Sequence, residues 1–195
     1  IRKLIKQSLA LLGLQLNRIP RHLRSGRIEN LSVQVGKFNI LMRSSSLLPE
    51  MFAGNADYSS ELGRLVSATL RKYPKLRVID VGANFGDSVA IIKNLVDVPV
   101  LCIEGDPQCL FLLEKNTSQF KDVTIHKLFL GEKTESIRAD FEKQGWNTTI
   151  IPSRNGLSTM LPLKSLDDFL STLGDLHGYK VLKIDTEGFD CRIIR

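Results

Sequence analysis

The chain has 195 residues, of which 43% are hydrophobic and 25% are charged, a composition typical of a globular domain. The length predicts one domain with an appendage and excludes an array of several domains. The composition excludes a disordered or collagen-like chain. The longest apolar run, Leu9 to Leu14 with glycine counted, is too short to span a bilayer.

The net charge of +6 is concentrated at one end of the chain. Residues 1–30 hold seven Lys or Arg and one acid, whereas residues 31–195 hold 20 basic and 20 acidic residues. The body of the protein is therefore neutral, and no nucleic-acid partner is expected. The cysteines, Cys102, Cys109 and Cys191, form no C-x-x-C pair. They favour a reducing compartment and a cytoplasmic location.

Residues 1–73 are predicted to form an N-terminal extension. Residues 1–24 have the pattern of a basic amphipathic helix, which could make a peripheral membrane contact or pack on the domain. Alternation around Gly36-Lys37 predicts a hairpin over residues 31–43. Asp57 is expected to cap a following helix that Pro74 closes.

Residues 74–195 alternate between strand and helix patterns. The apolar runs RVIDVG, VPVLCIEG, VTIHKLFL and KVLKID predict four strands. Asp87, Asp106 with Pro107, and a capping box of Ser165 with Asp168 mark the starts of three helices, and residues 141–163 resemble a hairpin. This order predicts a doubly wound α/β domain with a mostly parallel, Rossmann-like sheet. Because the fourth strand would lack an outer neighbour, we expect the domain to be C-terminally incomplete.

A glycine turn follows the first strand, in the pattern D-x-G-x-N-x-G from Asp80 to Gly86. Ligands of doubly wound sheets bind beyond the carboxyl ends of the strands, where such turns let the backbone approach them. A dinucleotide fingerprint would need glycine where Asn84 and Asp87 stand, so a nicotinamide oxidoreductase is disfavoured. Asp87 also adds negative charge at the helix entrance, which suits a cationic ligand better than a pyrophosphate.

Glu104 lies at the end of the second strand, 22 residues after Gly82. An acid at this place can accept hydrogen bonds from both hydroxyls of a ribose. Glycine turn and acid together predict a pocket for a nucleoside with a positively charged tail, and S-adenosylmethionine is such a molecule. The alternative is a glycine turn and an unrelated surface glutamate.

Four segments in this order, VIDVGANFGDS, CIEGDPQCLFLLEKN, LPLKSLDDFL and VLKIDTEGFDCRIIR, resemble the FkbM family of S-adenosylmethionine-dependent methyltransferases. The resemblance covers about residues 77–195. It implies a seven-stranded methyltransferase sheet and O-methylation of a hydroxyl on a sugar, glycan or secondary metabolite. It also implies a cofactor pocket formed by Asp80, Gly82, Ala83, Asn84, Gly86, Glu104, Gly105 and Asp106.

Asp185 and Glu187 close the fourth strand, next to the first if the resemblance holds. Methyl transfer to an unactivated hydroxyl needs a base, and Asp185 could orient or deprotonate it with help from Glu187. Asp185 could equally tune the cofactor site or cap the next helix. No metal is expected, since neither a His nor a third acid accompanies the pair.

The alternative function is a non-catalytic module that binds a nucleoside without turnover. Methyl transfer from S-adenosylmethionine to a hydroxyl acceptor would separate the two hypotheses.

Overall fold

The computed structural model describes residues 29–55, 57–144, 147–152, 159–186 and 188–194. The predicted helix over residues 1–24 and the predicted catalytic Glu187 lie outside these residues.

The extension begins with an antiparallel hairpin, β1 (Asn30–Val35) and β2 (Phe38–Arg43), turned at Gly36-Lys37 as predicted. Two helices follow, α1 (Leu48–Gly54) and α2 (Ser60–Lys72). The sequence patterns did not predict α1, which has only seven residues.

The start of α2 corrects one prediction. Asp57 does not cap this helix: the residue before its first turn is Ser59, with a φ of +55° and no side-chain cap. The backbone carbonyl of Asp57 accepts from the Ser60 N–H at 2.9 Å, in a turn that precedes the helix. The predicted end is confirmed, since α2 stops at Lys72, two residues before Pro74.

The domain alternates strands and helices in chain order: β3 (Arg77–Val81), α3 (Asp87–Leu95), β4 (Val100–Glu104), α4 (Pro107–Thr117), β5 (Val123–Lys127), β6 (Phe129–Gly131), β7 (Glu135–Gln144), β8 (Asn147–Pro152), β9 (Thr159–Ser165), α5 (Leu166–Ser171), β10 (Tyr179–Ile184) and α6 (Asp190–Ile193). Four strands form a parallel sheet in the order β10-β3-β4-β5. The doubly wound α/β fold predicted from the sequence is confirmed.

Helices cover both faces of this sheet. Successive side chains of each strand point to opposite faces, so each face has its own apolar core. Val78, Val100 and Cys102 face a core shared with α2, α3 and α4. Ile79 and Leu101 face the opposite core, which α5 and α6 complete. Within the described residues, no helix combines the length and apolar character needed to cross a membrane.

A second sheet has the order β6-β9-β7-β8, with β7 antiparallel to β8 and to β9. The predicted hairpin is confirmed in β7 and β8. The predicted strand VTIHKLFL is divided: the N–H of Leu128 donates to the carbonyl of Glu104 at 3.1 Å, and the chain then leaves the parallel sheet as β6.

The other predicted helix starts fare differently from one another. Asp106 caps α4, and its carboxylate accepts from the Gln108 N–H at 2.8 Å. Asp87 is the first residue of α3 and not its cap, a position that Gly86 occupies. Ser165 accepts from the Asp168 N–H at 3.1 Å, but the carboxylate of Asp168 bonds to Thr134, so only half of the capping box forms.

Candidate functional site

The strand order places a crevice at one edge of the parallel sheet. The chain runs outward through β3, β4 and β5 and returns with β10 on the other side of β3, which makes this the point where strand order reverses. A cavity of about 630 Å³ lies here, between the carboxyl ends of the strands and the N-terminal extension. Its wall on the extension side includes Arg43, Ser46, Leu48, Met51, Tyr58 and Leu62.

The glycine turn after β3 forms part of the cavity wall because its backbone fits closely against β10. Gly82 has a φ of +76°, and a Cβ at this position would collide with the carbonyl oxygen of Asp185. The Asp185 N–H donates in turn to the carbonyl of Val81 at 3.0 Å. Glycine at 82 is therefore required both by conformation and by space.

The carboxylate of Glu104 is anchored by backbone groups on both of its oxygens. Oε2 accepts from the Asn84 N–H at 2.9 Å, and Oε1 accepts from Gly105 and Asp106 at 2.9 and 2.8 Å. Burial raises the pKa of Glu104, and these hydrogen bonds partly oppose the rise. A carboxylate offers about four acceptor positions. Beside these three backbone donors, the carboxylate keeps about one acceptor position for a hydroxyl of a ligand.

Asp80 lies beneath the cavity, fully buried at the end of β3. Its Oδ1 accepts from Lys183 Nζ at 2.9 Å, across the pair that β3 forms with β10. Among the described residues, Oδ2 has no hydrogen-bond partner. The carboxylate that starts the glycine motif therefore acts on the site through Lys183.

Lys183 connects the acids of the site. Besides Asp80, its Nζ lies 3.4 Å from the carbonyl of Gly82 and 3.8 Å from Oδ2 of Asp185. Burial by itself would lower the pKa of Lys183, but the neighbouring carboxylates, chiefly Asp80, raise it above its ordinary value. The lysine is therefore a permanent cation at neutral pH.

Asp87 adds a third carboxyl group to this cluster and lines the cavity. Burial raises its pKa to about 6; the charge of Lys183 opposes the rise, and those of Asp80 and Asp185 add to it. Three acids thus surround one lysine, and one of them titrates near neutral pH.

Asp185 differs from the other two acids in being accessible. Its side chain is 65% exposed and lines the cavity, where a hydroxyl of a bound molecule could reach it. Its loose ion pair with Lys183 leaves its oxygens able to accept a proton or a hydrogen bond.

The structure divides the sequence-predicted site residues into two groups. Six line the cavity: Gly82, Asn84, Glu104, Gly105, Asp106 and Asp185. Asp80, Ala83 and Gly86 are buried and support it from below. At Gly105 a side chain would collide with the ring of Phe129, so the absence of one lets that ring reach the cavity wall.

Sequence reasoning missed Lys183. It placed Asp87 at the helix start as negative charge that suits a cationic ligand, but did not predict its place beside Lys183. The signal for Lys183 was present, since residues 183 and 185 share one face of a strand by two-residue alternation. The register that sets Lys183 opposite Asp80 depends on how β10 pairs with β3 in the folded protein, and alternation along one strand does not predict it.

The charges of this site suit a cationic ligand. Five carboxyl groups line the cavity, against the two cations Arg43 and Lys183: Glu61, Asp87, Glu104, Asp106 and Asp185. The buried Oδ2 of Asp80 adds further negative potential below them. These carboxylates can accept hydrogen bonds from an ammonium group or a ribose hydroxyl, and they attract a sulfonium. Within the described ranges, no three His, Cys, Asp or Glu side chains come together as a metal site.

No family model matches the chain, and no curated protein matches it. Solved structures that align with it include the precorrin-6y C5,15-methyltransferase of Geobacter metallireducens, with 25% identity over 35% of this chain and 38% of that chain and a TM-score of 0.29. The N-terminal domain of EvdMO1 with SAH bound aligns with 10% identity over 57% and 69% of the two chains and a TM-score of 0.30. Protein-L-isoaspartate O-methyltransferase aligns with 13% identity over 65% and 42% and a TM-score of 0.28.

The aligned part of the chain spans 38% of the precorrin methyltransferase. With TM-scores this low, the fold assignment rests on the strand order β10-β3-β4-β5 and not on these alignments. The FkbM resemblance stays a prediction.

Proposed function

We propose that the chain is an S-adenosylmethionine-dependent methyltransferase that methylates a hydroxyl oxygen. The observation that carries this proposal is the hydrogen bond from the Asn84 N–H to Glu104, which joins the two motifs predicted to hold the cofactor. Both line one acid-rich cavity at the switch point of the sheet.

In this proposal Glu104 accepts a ribose hydroxyl at its remaining acceptor position. The glycine turn brings backbone groups against the methionine part of the cofactor. Asp87 and Asp185 supply the negative charge that a sulfonium requires, and Lys183 keeps Asp80 and Asp185 in place. When bound, S-adenosylmethionine supplies the electrophilic methyl group.

Asp185 is proposed as the catalytic base because it is the accessible acid of the cluster. The acceptor oxygen forms the new bond to the methyl carbon while the carbon–sulfur bond breaks and sulfur retains its electron pair. Asp185 takes the proton of the hydroxyl, so charge and atoms balance. A sugar, glycan or secondary metabolite as acceptor, the cytoplasmic location and the membrane contact of residues 1–24 stay predictions.

Binding of S-adenosylhomocysteine, measured by calorimetry, tests the cofactor site. Glu104→Gln should weaken binding by about ten- to a hundred-fold, because a charge-assisted hydrogen bond contributes roughly 1.5–3 kcal/mol. Glu114→Gln is the matched control, since this glutamate pairs with Lys127 at 2.5 Å on the surface. Absence of binding by the folded wild-type chain would refute the proposal, and equal affinities for the two variants would remove Glu104 from the site.

Turnover tests the role of Asp185. Transfer of a labelled methyl group to a panel of free sugars and phenols should fall by about 10²- to 10⁴-fold in Asp185→Asn, the contribution of a general base. Affinity for S-adenosylhomocysteine should stay within about two-fold, because a neutral isostere keeps the shape of the site. Asp167→Asn, at an exposed position of α5, is the control. Equal loss of binding and turnover would assign Asp185 to the cofactor, and binding without transfer in the wild type would favour a non-catalytic module.

A further inference from the structure

The hairpin β1–β2 is packed against the element that carries the glycine turn. Val35, Ile40 and Met42 belong to one apolar cluster with Phe85 of the turn and Leu112 of α4. The extension is thus joined to the cavity wall through a continuous core, and α4 contacts both the hairpin and the glycine turn.

Asn116, near the end of α4, supplies the polar link inside this cluster. The residue is only 3% exposed. Its Oδ1 accepts from the Leu41 N–H at 2.8 Å, and its Nδ2 donates to the Leu41 carbonyl at 2.8 Å and to the Phe85 carbonyl at 2.7 Å. A primary amide has two donor hydrogens, and both are used here on backbone carbonyls of different elements.

The Phe85 carbonyl is a sensitive point of the glycine turn. Phe85 lies between Asn84, whose N–H donates to Glu104, and Gly86, the N-cap residue of α3. A Cβ at Gly86 would approach the side chain of Thr117, the neighbour of Asn116, at 3.2 Å. The end of α4 therefore bonds to the turn at Phe85 and lies close beside Gly86. Losing the Asn116 bond would leave a buried carbonyl without its donor.

Resting on the proposed cofactor site, we infer that Asn116 is a positioning residue that couples docking of the hairpin to the shape of the glycine turn. The Asn116 side-chain amide bonds to the backbone of the hairpin and to that of the glycine turn. When one of these segments is in place, it fixes the amide in the orientation that the other segment requires. Binding of a nucleoside ligand at the turn and docking of the hairpin then reinforce each other, as linkage requires. The N-terminal extension is accordingly a working part of the binding site.

Asn94 of α3 contacts the same hairpin and provides a matched control. Its Oδ1 accepts from the Lys37 N–H at 3.1 Å, and its side chain fills the space beside Gly36. The hydrogen bond described for Asn94 thus goes to the hairpin turn, whereas Asn116 bonds to the hairpin and the glycine turn together. Asn94→Ala should loosen the hairpin without releasing the Phe85 carbonyl.

The experiment compares the wild-type chain with Asn116→Ala and Asn94→Ala by hydrogen–deuterium exchange and by titration with S-adenosylhomocysteine. Asn116→Ala should accelerate exchange in residues 38–43 and also in residues 82–86, and weaken the ligand by about ten-fold. Asn94→Ala should accelerate exchange in the hairpin and leave affinity within about two-fold. In the wild type the ligand should protect the Leu41 amide, and in Asn116→Ala this protection should disappear.

Two results would overturn the coupling: Asn116→Ala that loosens only the hairpin, or Asn94→Ala that weakens the ligand as much as Asn116→Ala does. Asn116→Asp replaces the alanine variant if that one fails to fold. It keeps the acceptor for the Leu41 N–H, loses both donors, and should behave in the same direction. Exchange in residues 82–86 is measured without ligand, so it decides the coupling even if the wild type binds no S-adenosylhomocysteine and the proposed function fails.

Discussion

Charged side chains lie at both ends of helix α3, but the balance of charge differs between the two ends. Near its carboxyl end Lys93, 5% exposed, donates to Asp97 at 2.5 Å and to the Lys121 carbonyl at 2.8 Å. Asp97 is 71% exposed, and the hydrogen bond and charge of Lys93 lower its pKa. At this end, Lys93 and Asp97 form a one-to-one ion pair, and most of the Asp97 side chain is exposed to solvent.

At the amino end of α3, three carboxyl groups share one lysine. Asp87 faces Lys183 together with Asp80 and Asp185, and burial raises its pKa where that of Asp97 falls. A protein selected only for stability would pair these charges, as it does at the far end of the same helix. The excess of negative charge at the cavity supports the proposed cofactor site, since acids with perturbed pKa values cluster at functional sites.

Removing each lysine is the strongest way to break this contrast. Lys183→Met should destabilise the fold by about 3–5 kcal/mol, because it leaves the buried carboxylate of Asp80 without a partner. Lys93→Met should cost about 1 kcal/mol or less, since Asp97 is solvated. Urea unfolding at pH 7 measures both. Similar losses of unfolding free energy in the two variants would mean that the loss depends on burial of the lysine and not on burial of its carboxylate partner.

The two aspartates should give pH dependences of opposite sign. A folded-state pKa of about 6 for Asp87, against 3.8, means that protonation favours the folded state. This contribution is greatest below about pH 4 and is lost as the pH rises through 6. Asp87→Asn should therefore be more stable than wild type at pH 7.5, by up to about 3 kcal/mol at 1.36 kcal/mol per unit. The difference should vanish near pH 4.

Asp97→Asn is the control for that measurement. Its lowered pKa gives stability that is present above 3.8 and lost as the pH falls, so the variant should be less stable at pH 7.5, by at most about 1 kcal/mol. Urea midpoints between about pH 2.5 and 7.5 test both variants, because the contribution of Asp97 is lost only below about pH 3.8. Parallel pH profiles for the two would contradict the contrast between the two ends of α3.

A pair of glycines extends the comparison to the backbone at a smaller scale. Gly82→Ala should lose at least about 2 kcal/mol, since a positive φ and the Asp185 carbonyl both oppose a side chain. Gly174 has a similar φ of +71° but open space around it, so Gly174→Ala should lose about 1 kcal/mol. Thermal unfolding measures both, and equal losses would show that conformation alone, without close packing, accounts for Gly82.

Local patterns predicted the order of strands and helices because hydrophobic periodicity and caps are properties of short segments. Asp106 with Pro107 marked the start of α4 correctly, since the cap bond spans two residues. Asp57 and Asp87 are not caps because Ser59 and Gly86 occupy the two cap positions. Both of these residues have a positive φ, a backbone conformation that no local pattern specified.

The chain's own sequence determined the composition of the site: a glycine turn, Glu104 and Asp185 at the ends of parallel strands. Strand ends in such a sheet meet at one edge, so their proximity follows from the alternation of strands and helices. What the acids do there was decided only by tertiary structure. The register of β3 with β10 set Lys183 beside Asp80, and burial raised the pKa of Asp87. Asn116 formed hydrogen bonds with Phe85 and Leu41, which lie 31 and 75 positions away in the chain. Register, burial and long-range hydrogen bonds depend on how segments pack against one another, and no single segment encodes them.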